Sequence, residues 1–164
     1  MPERLRETRA TGGIIVETSR YDDLDVSARE LVDAARAATD TAYAPYSGVR
    51  VGAALRGADG RIHVGSNVEN AAYGSTVCAE RTAVGAANAR GERAFHDVAV
   101  AAAGSGLPAD RPVSPCGACR QVLHEMASAT GTRTRVLMTT PGSDEITIAW
   151  LGELLPLPFD ALSR

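Results

Sequence analysis

Aromatic side chains make up only 4% of these 164 residues. A core built from this chain must therefore rely on small side chains and close backbone approach, for which its many alanines and its 16 glycines are suited. The shortage also bears on partners. Proteins that hold single-stranded nucleic acid stack its bases on aromatic rings along a basic groove. This chain is short of rings, and its formal net charge is -3, so a nucleic-acid polymer is not the expected partner. No apolar run approaches the roughly 20 residues of a membrane-spanning helix, and the first residues lack the apolar stretch of a secretory signal. Neither a membrane nor export is expected. Cysteine is also sparse, with three in all. Two of them stand as Cys-x-x-Cys, which suits a reducing compartment better than a disulfide framework. The expected setting is cytoplasmic.

What is present reads as one domain over residues 21–164, preceded by an extension over residues 1–20. The extension carries mixed charge and Thr-Gly-Gly, with Ile14-Ile15-Val16 as its apolar knot; it is expected to be poorly ordered unless that knot packs on a neighbour. Ser27-Ala28-Arg29-Glu30 reads as a capping box. Leu31, Ala34, Ala35, Ala38 and Ala42 follow at helical spacing, and Pro45 ends the helix. Residues 49–55 and 61–68 predict a hairpin turned at Asp59-Gly60. A polar loop over 67–76 leads to a second helix over about 78–90, with Gly91 in the C-terminal capping place. Residues 98–103 form the continuous apolar run of a strand covered on both faces. After a loop over 104–114, a third helix starts at or just after Cys116 and ends near Gly131. Residues 135–139 and 145–149 predict two more strands, and the tail one short helix stopped by Pro156 and Pro158. This order implies an α/β fold, a three-layer α/β/α sandwich around a mixed five-stranded sheet.

The chemistry concentrates in two stretches, Thr76-Val77-Cys78-Ala79-Glu80-Arg81 and Ser114-Pro115-Cys116-Gly117-Ala118-Cys119-Arg120-Gln121, which hold all three cysteines. Three thiolates are one ligand short of a closed zinc site. Structural zinc takes four protein ligands, whereas catalytic zinc keeps a position open for water. Glu80 is then a spare acid/base beside that water. This is the three-cysteine form of the zinc deaminase signature, in which the glutamate moves protons and does not bind the metal. Both clusters open predicted helices, whose unpaired N–H groups and positive dipole end favour thiolates. Three thiolates still outweigh the charge of the ion, and Arg81 and Arg120, each one step beyond a ligand motif, are candidates to donate hydrogen bonds to the sulfurs. Cys116-x-x-Cys119 alone would also fit a redox protein or a structural zinc knuckle. The first leaves Cys78 and Glu80 unexplained. The second needs a ligand from His63, His96 or His124, none of which stands at short ligand spacing to a cysteine pair; all three read as surface, edge or structural residues.

These motifs, together with Tyr46-Ser47, Val51-Gly52-Ala53-Ala54-Leu55, Asn67-Val68-Glu69-Asn70-Ala71, Thr82-Ala83 and Leu154-Leu155-Pro156 in that order, resemble the cytidine deaminase family. The likeness is to its small homotetrameric branch and covers residues 27–160. The resemblance implies a hydrolase of pyrimidine salvage that converts cytidine and deoxycytidine to uridine and deoxyuridine. One Zn²⁺ per subunit would be held by Cys78, Cys116 and Cys119. Water activated by zinc would attack C4 of the cytosine ring, while Glu80 protonates N3 and then the departing amine. The Ser114 carbonyl would accept from that amino group, the Ala79 N–H would hold O2, and Asn67 and Glu69 would bind the ribose 3′-hydroxyl. Ala71, Tyr73 and Phe159 match positions that reach a neighbouring subunit's pocket, which implies a homotetramer with shared active sites. One position departs from the pattern. Where the family has a phenylalanine packed on the pyrimidine, this chain has Val49, which removes stacking and opens space beside the base. The alternative substrate is therefore a modified cytosine nucleoside or a blasticidin-like nucleoside antibiotic, although the sugar loop of Asn67 and Glu69 argues for an ordinary ribose or deoxyribose.

Overall fold

In the computed structural model, residues 7–11, 14–107 and 112–160 are described, with side chains from Ile15 onward. The first helix, α1 (Val26–Ala38), is capped by Asp25, whose carboxylate accepts the Ala28 N–H at 2.8 Å. The expected capping box at Ser27 therefore lies inside the first turn. Asp25 wins because its carboxylate reaches the third N–H beyond it, as an N-cap must. Of the predicted inward face, Leu31, Ala35 and Ala38 are buried, Ala34 is half-buried and Ala42 lies beyond the helix, which stops at Ala38 before Pro45 is reached.

Among the described residues, seven strands form one sheet: β1 (Glu7–Thr11), β2 (Ile14–Arg20), β3 (Arg50–Gly57), β4 (Ile62–Ser66), β5 (Phe95–Ala103), β6 (Arg135–Thr139) and β7 (Glu145–Trp150). Their spatial order is β1-β2-β7-β6-β5-β3-β4. The five strands expected from the sequence are all present, and the sheet gains two more from the first twenty residues. β2 pairs antiparallel with β7, with Glu17 opposite Ile148, and β1 pairs antiparallel with β2. β5 and β6 alone run parallel, joined through α3 (Gly117–Thr130). A parallel pair needs such a crossover, and it makes the sheet mixed.

Period-two alternation sends the strands' side chains to two different layers. Ala53, Leu55, Val98, Val100, Val136 and Met138 pack under α2 (Ala79–Asn88), α3 and the short α4 (Leu151–Leu154). Ala54, Ala99, Ala101, Leu137 and Ile146 pack under α1. The sandwich expected from the element order is thus the one observed. Two glycines set its thickness. A Cβ on Gly52 would stand 2.1 Å from the Ala35 carbonyl oxygen, and one on Gly65 would stand 2.3 Å from the Ala83 nitrogen. Backbone therefore touches backbone between β3 and α1, and between β4 and α2. The scarcity of aromatics is matched by this close approach.

Candidate metal centre

Cys78 is the N-cap residue of α2 and Cys116 the N-cap residue of α3. Cys119 lies one turn into α3, fully buried. The Cys78 side chain makes no capping bond to its own helix, whereas the Cys116 sulfur accepts the Cys119 N–H. The three Sγ atoms all lie within 4.8 Å of one another, and none is in a disulfide. The close contact of β4 at Gly65 presses on the Ala79 carbonyl and the Ala83 nitrogen, so it fixes where α2 begins. Ala79 is the first residue of that helix, and its N–H has no carbonyl one turn back to bond.

Burial raises the pKa of Cys78 and of Cys119, and the nearby Glu80 charge adds to both. Cys116 is different. Partial burial opposes its ionisation, but the Cys119 N–H and the two neighbouring thiols donate to its sulfur and hold its pKa below the usual thiol range. Such a cluster fits a soft dication. Three sulfurs packed together and partly dehydrated can all ionise only if a positive charge sits among them, and thiolate sets select zinc and similar metals. Glu80, one residue into α2, is 4% exposed, and burial pushes its carboxyl pKa up. It lies within hydrogen-bond reach of the Cys119 thiol. A buried carboxyl inclined to hold a proton thus stands beside a cluster of thiols able to hold a metal ion.

Next to this centre, the segment between β4 and α2 is tied to the turn before β3. Asn67 is buried; its Oδ1 accepts the Val51 N–H at 2.7 Å and its Nδ2 donates to the Val49 carbonyl at 2.9 Å. The Glu69 carboxylate accepts the Ser47 hydroxyl, the Tyr46 N–H at 2.8 Å and the Ser47 N–H at 3.3 Å. The Ser47 hydroxyl and then the Tyr46 N–H hold the Glu69 pKa below the usual carboxylate range. Val49 is half-buried, whereas Ala71, Tyr73, Ser114 and Phe159 are exposed.

Comparison with known proteins agrees with this geometry. The family model described as "Cytidine and deoxycytidylate deaminase zinc-binding region" matches residues 26–132, well over half of the chain. The chain belongs to the cytidine deaminase family. A cytidine deaminase of Halalkalibacterium halodurans is 45% identical over 133 residues, covering 80% of this chain and 92% of the relative. One from Sporosarcina psychrophila is 44% identical over 131 residues, covering 79% and 89%. Among solved structures, cytidine deaminase from Burkholderia pseudomallei superposes with a TM-score of 0.70 at 43% identity, over 83% of this chain and 100% of that one. The enzyme from Mycobacterium tuberculosis gives 0.65 at 36% identity, over 84% and 100%.

Against the residues named from sequence, this family member differs in its arginines. Arg120 donates to the Pro115 carbonyl at 2.7 Å, the Leu154 carbonyl at 2.8 Å and the Ser114 hydroxyl at 3.0 Å. None of these acceptors is a sulfur. Consecutive helical residues point about 100° apart, so the residue after Cys119 faces away from the thiols, and its guanidinium instead braces the loop that delivers Cys116. Arg81, the residue after the buried Glu80, is exposed for the same reason. His63, expected at a surface or edge, is buried at 3% exposure with its Nε2 unpartnered among the described residues. His96 is exposed, and His124 meets Asp160 at 2.6 Å. Sequence reasoning missed what Gln121 does: its amide bonds both backbone groups of Phe159. No spacing signal announces a contact between residues 38 positions apart.

Proposed function

We propose that this chain hydrolytically deaminates cytidine and deoxycytidine, with Cys78, Cys116 and Cys119 holding one zinc ion per subunit. Zinc bound there would lower the pKa of a water toward neutrality and supply the nucleophile for C4. Glu80 would take a proton from the attacking water and give it to N3; it would then take the proton of the new C4 hydroxyl and pass it to the amino group, so that the C4–N bond breaks, ammonia leaves and C4 becomes a carbonyl. Its burial suits a group that must hold a proton between these transfers. The Ser114 carbonyl accepts from the amino group, which favours cytosine over uracil. The Ala79 N–H, at the start of α2, donates to O2.

The ribose 3′-hydroxyl falls to Asn67 and Glu69, whose bonds to the backbone do not exhaust them. Asn67 keeps a second amide hydrogen and a second lone pair on Oδ1. Glu69 accepts three donors where a carboxylate has about four sites. The loop can therefore be rigid and still bind a sugar. Ala71, Tyr73 and Phe159, all exposed, serve a neighbouring subunit's pocket in a homotetramer. The partner is a free nucleoside, and the free thiols suit the cytoplasm.

The observation that carries this reading is the buried Glu80 carboxyl beside three sulfurs that lie within 4.8 Å of one another. Glu80→Gln keeps the shape and removes the proton carrier. Purified variant should retain its zinc, by elemental analysis, and its circular dichroism, while ammonia release from cytidine falls at least ~100-fold. Loss of metal and fold would make Glu80 a ligand and end the assignment. A second reading, deamination of a modified cytosine nucleoside, is favoured by one feature: the smaller Val49 where the family pattern has an aromatic ring.

A further inference from the structure

Three side chains of α3 grip the C-terminal segment. Arg120 Nη1 donates to the Leu154 carbonyl at 2.8 Å. Gln121 meets Phe159 twice: Nε2 donates to its carbonyl at 2.7 Å, and Oε1 accepts its N–H at 3.0 Å. His124 Nε2 meets Asp160 Oδ1 at 2.6 Å. The paired bonds from Gln121 are those a neighbouring strand would offer, although Phe159 lies in no strand or helix. They satisfy both polar backbone groups at Phe159 and fix its position.

Phe159 is nevertheless 76% exposed, near Leu157 at 91%. A ring held in water forgoes the hydrophobic gain of burial, and a backbone pinned on both sides stops the tail from folding back to cover it. Tying down the tail does not require this, whereas presenting the ring to something else does. The helix that presents it is also the helix that carries Cys116 as its cap and Cys119 in its first turn. Ring and thiols are thus mounted on one rigid element.

We propose that Gln121 is a positioning residue for nucleoside binding: its side-chain amide clamps the Phe159 backbone and so fixes the ring that this subunit lends to a neighbour's nucleoside pocket. The inference rests on the reading that Phe159 serves such a pocket. Its physical content is pre-organisation. A ring already in place needs no ordering when substrate arrives, so affinity gains. Contact made equally in the ground and transition states alters KM and leaves kcat alone.

The test uses the zinc-loaded full chain. Gln121→Met keeps the length and volume of the side chain and removes both hydrogen bonds. KM for cytidine should rise roughly tenfold, the scale set by losing one well-formed interaction, while kcat, zinc content and sedimentation stay as in wild type. Phe159→Ala should raise KM at least as much, and the double variant should be no worse than Phe159→Ala alone, because the clamp has nothing left to position. If Phe159→Ala raises KM and Gln121→Met does not, the clamp is overturned and the proposed function stands. If Phe159→Ala leaves KM unchanged, the shared-pocket reading fails and the clamp with it. A Gln121→Met protein that loses zinc or kcat with KM unmoved would assign Gln121 to the metal loop and also overturn the proposal. Should Gln121→Met fold poorly, Asp160→Ala loosens the same tail from its exposed side and is read by the same KM-against-kcat split.

Discussion

Val49 is held by its backbone and not by its side chain. Its N–H donates to the Ser47 hydroxyl at 3.0 Å and its carbonyl accepts from the buried Asn67 amide. A substitution there changes what fills the neighbouring space without moving the chain that carries it. On the proposal that position 49 borders the base, Val49→Phe should supply an aromatic wall and close room beside C5. Discrimination between cytidine and 5-methylcytidine, measured as a ratio of kcat/KM, should rise by at least roughly tenfold, the usual worth of one excluded carbon in a pocket. Equal ratios in the two proteins would show that position 49 does not border the base. At this scale the sequence was most legible where residue type and spacing together encode a chemistry, as in Cys78-x-Glu80 and Cys116-x-x-Cys119. It was least legible where one residue works through another's backbone. Nothing in the order of residues says that Asn67 spans Val49 and Val51, or that Arg120 turns from the sulfurs to brace Pro115.

Among the elements, β3 to β7 and the three long helices were readable because their patterns have clear periods and stops: Leu31, Ala35 and Ala38 on α1, the apolar run of β5, and Gly131 in the left-handed conformation after α3. The first two strands were not. Their residues are largely Thr, Arg and Glu, which hides the alternation of an edge strand behind apparent polarity. The available signal was in the sequence alone, where Gly12-Gly13 stands between the β-branched Thr11 and Ile14. The tight constraint nearest the thiols is Gly65, where β4 meets α2. A methyl group there would meet α2 backbone at 2.3 and 2.6 Å, and backbone cannot rotate out of the way. Gly65→Ala should destabilise the fold by about 1–3 kcal/mol and, by displacing the helix that starts at Ala79, lower zinc occupancy at limiting metal. Gly85→Ala, with open space around its Cβ on the same helix, is the control and should be neutral or slightly stabilising. Thermal melts with parallel zinc analysis decide it; a Gly65→Ala protein matching the control would show that β4 does not set the helix position.

The whole molecule places its few aromatic rings unusually. Of seven aromatic residues, Tyr43, Tyr46, Tyr73 and Phe159 are exposed, Tyr73 at 89%. Phe95 alone of the seven is buried; a chain short of rings that leaves four of them exposed has another use for those four, and aromatic residues concentrate where proteins meet one another. If those surfaces close a tetramer in which Phe159 completes a neighbour's site, then a defect in Glu80 and a defect in Phe159 lie in different chains of the same site. Glu80→Gln subunits would still lend an intact ring. Phe159→Ala subunits would still hold an intact proton carrier. Unfolded together and refolded with zinc, the two variants should form mixed assemblies in which some sites pair a working Glu80 with a neighbour's Phe159. Those sites should show a KM returned toward the wild-type value, although neither variant refolded alone does. A mixture whose KM equals that of Phe159→Ala alone would mean that each site draws only on its own chain. The exposed rings would then need another partner.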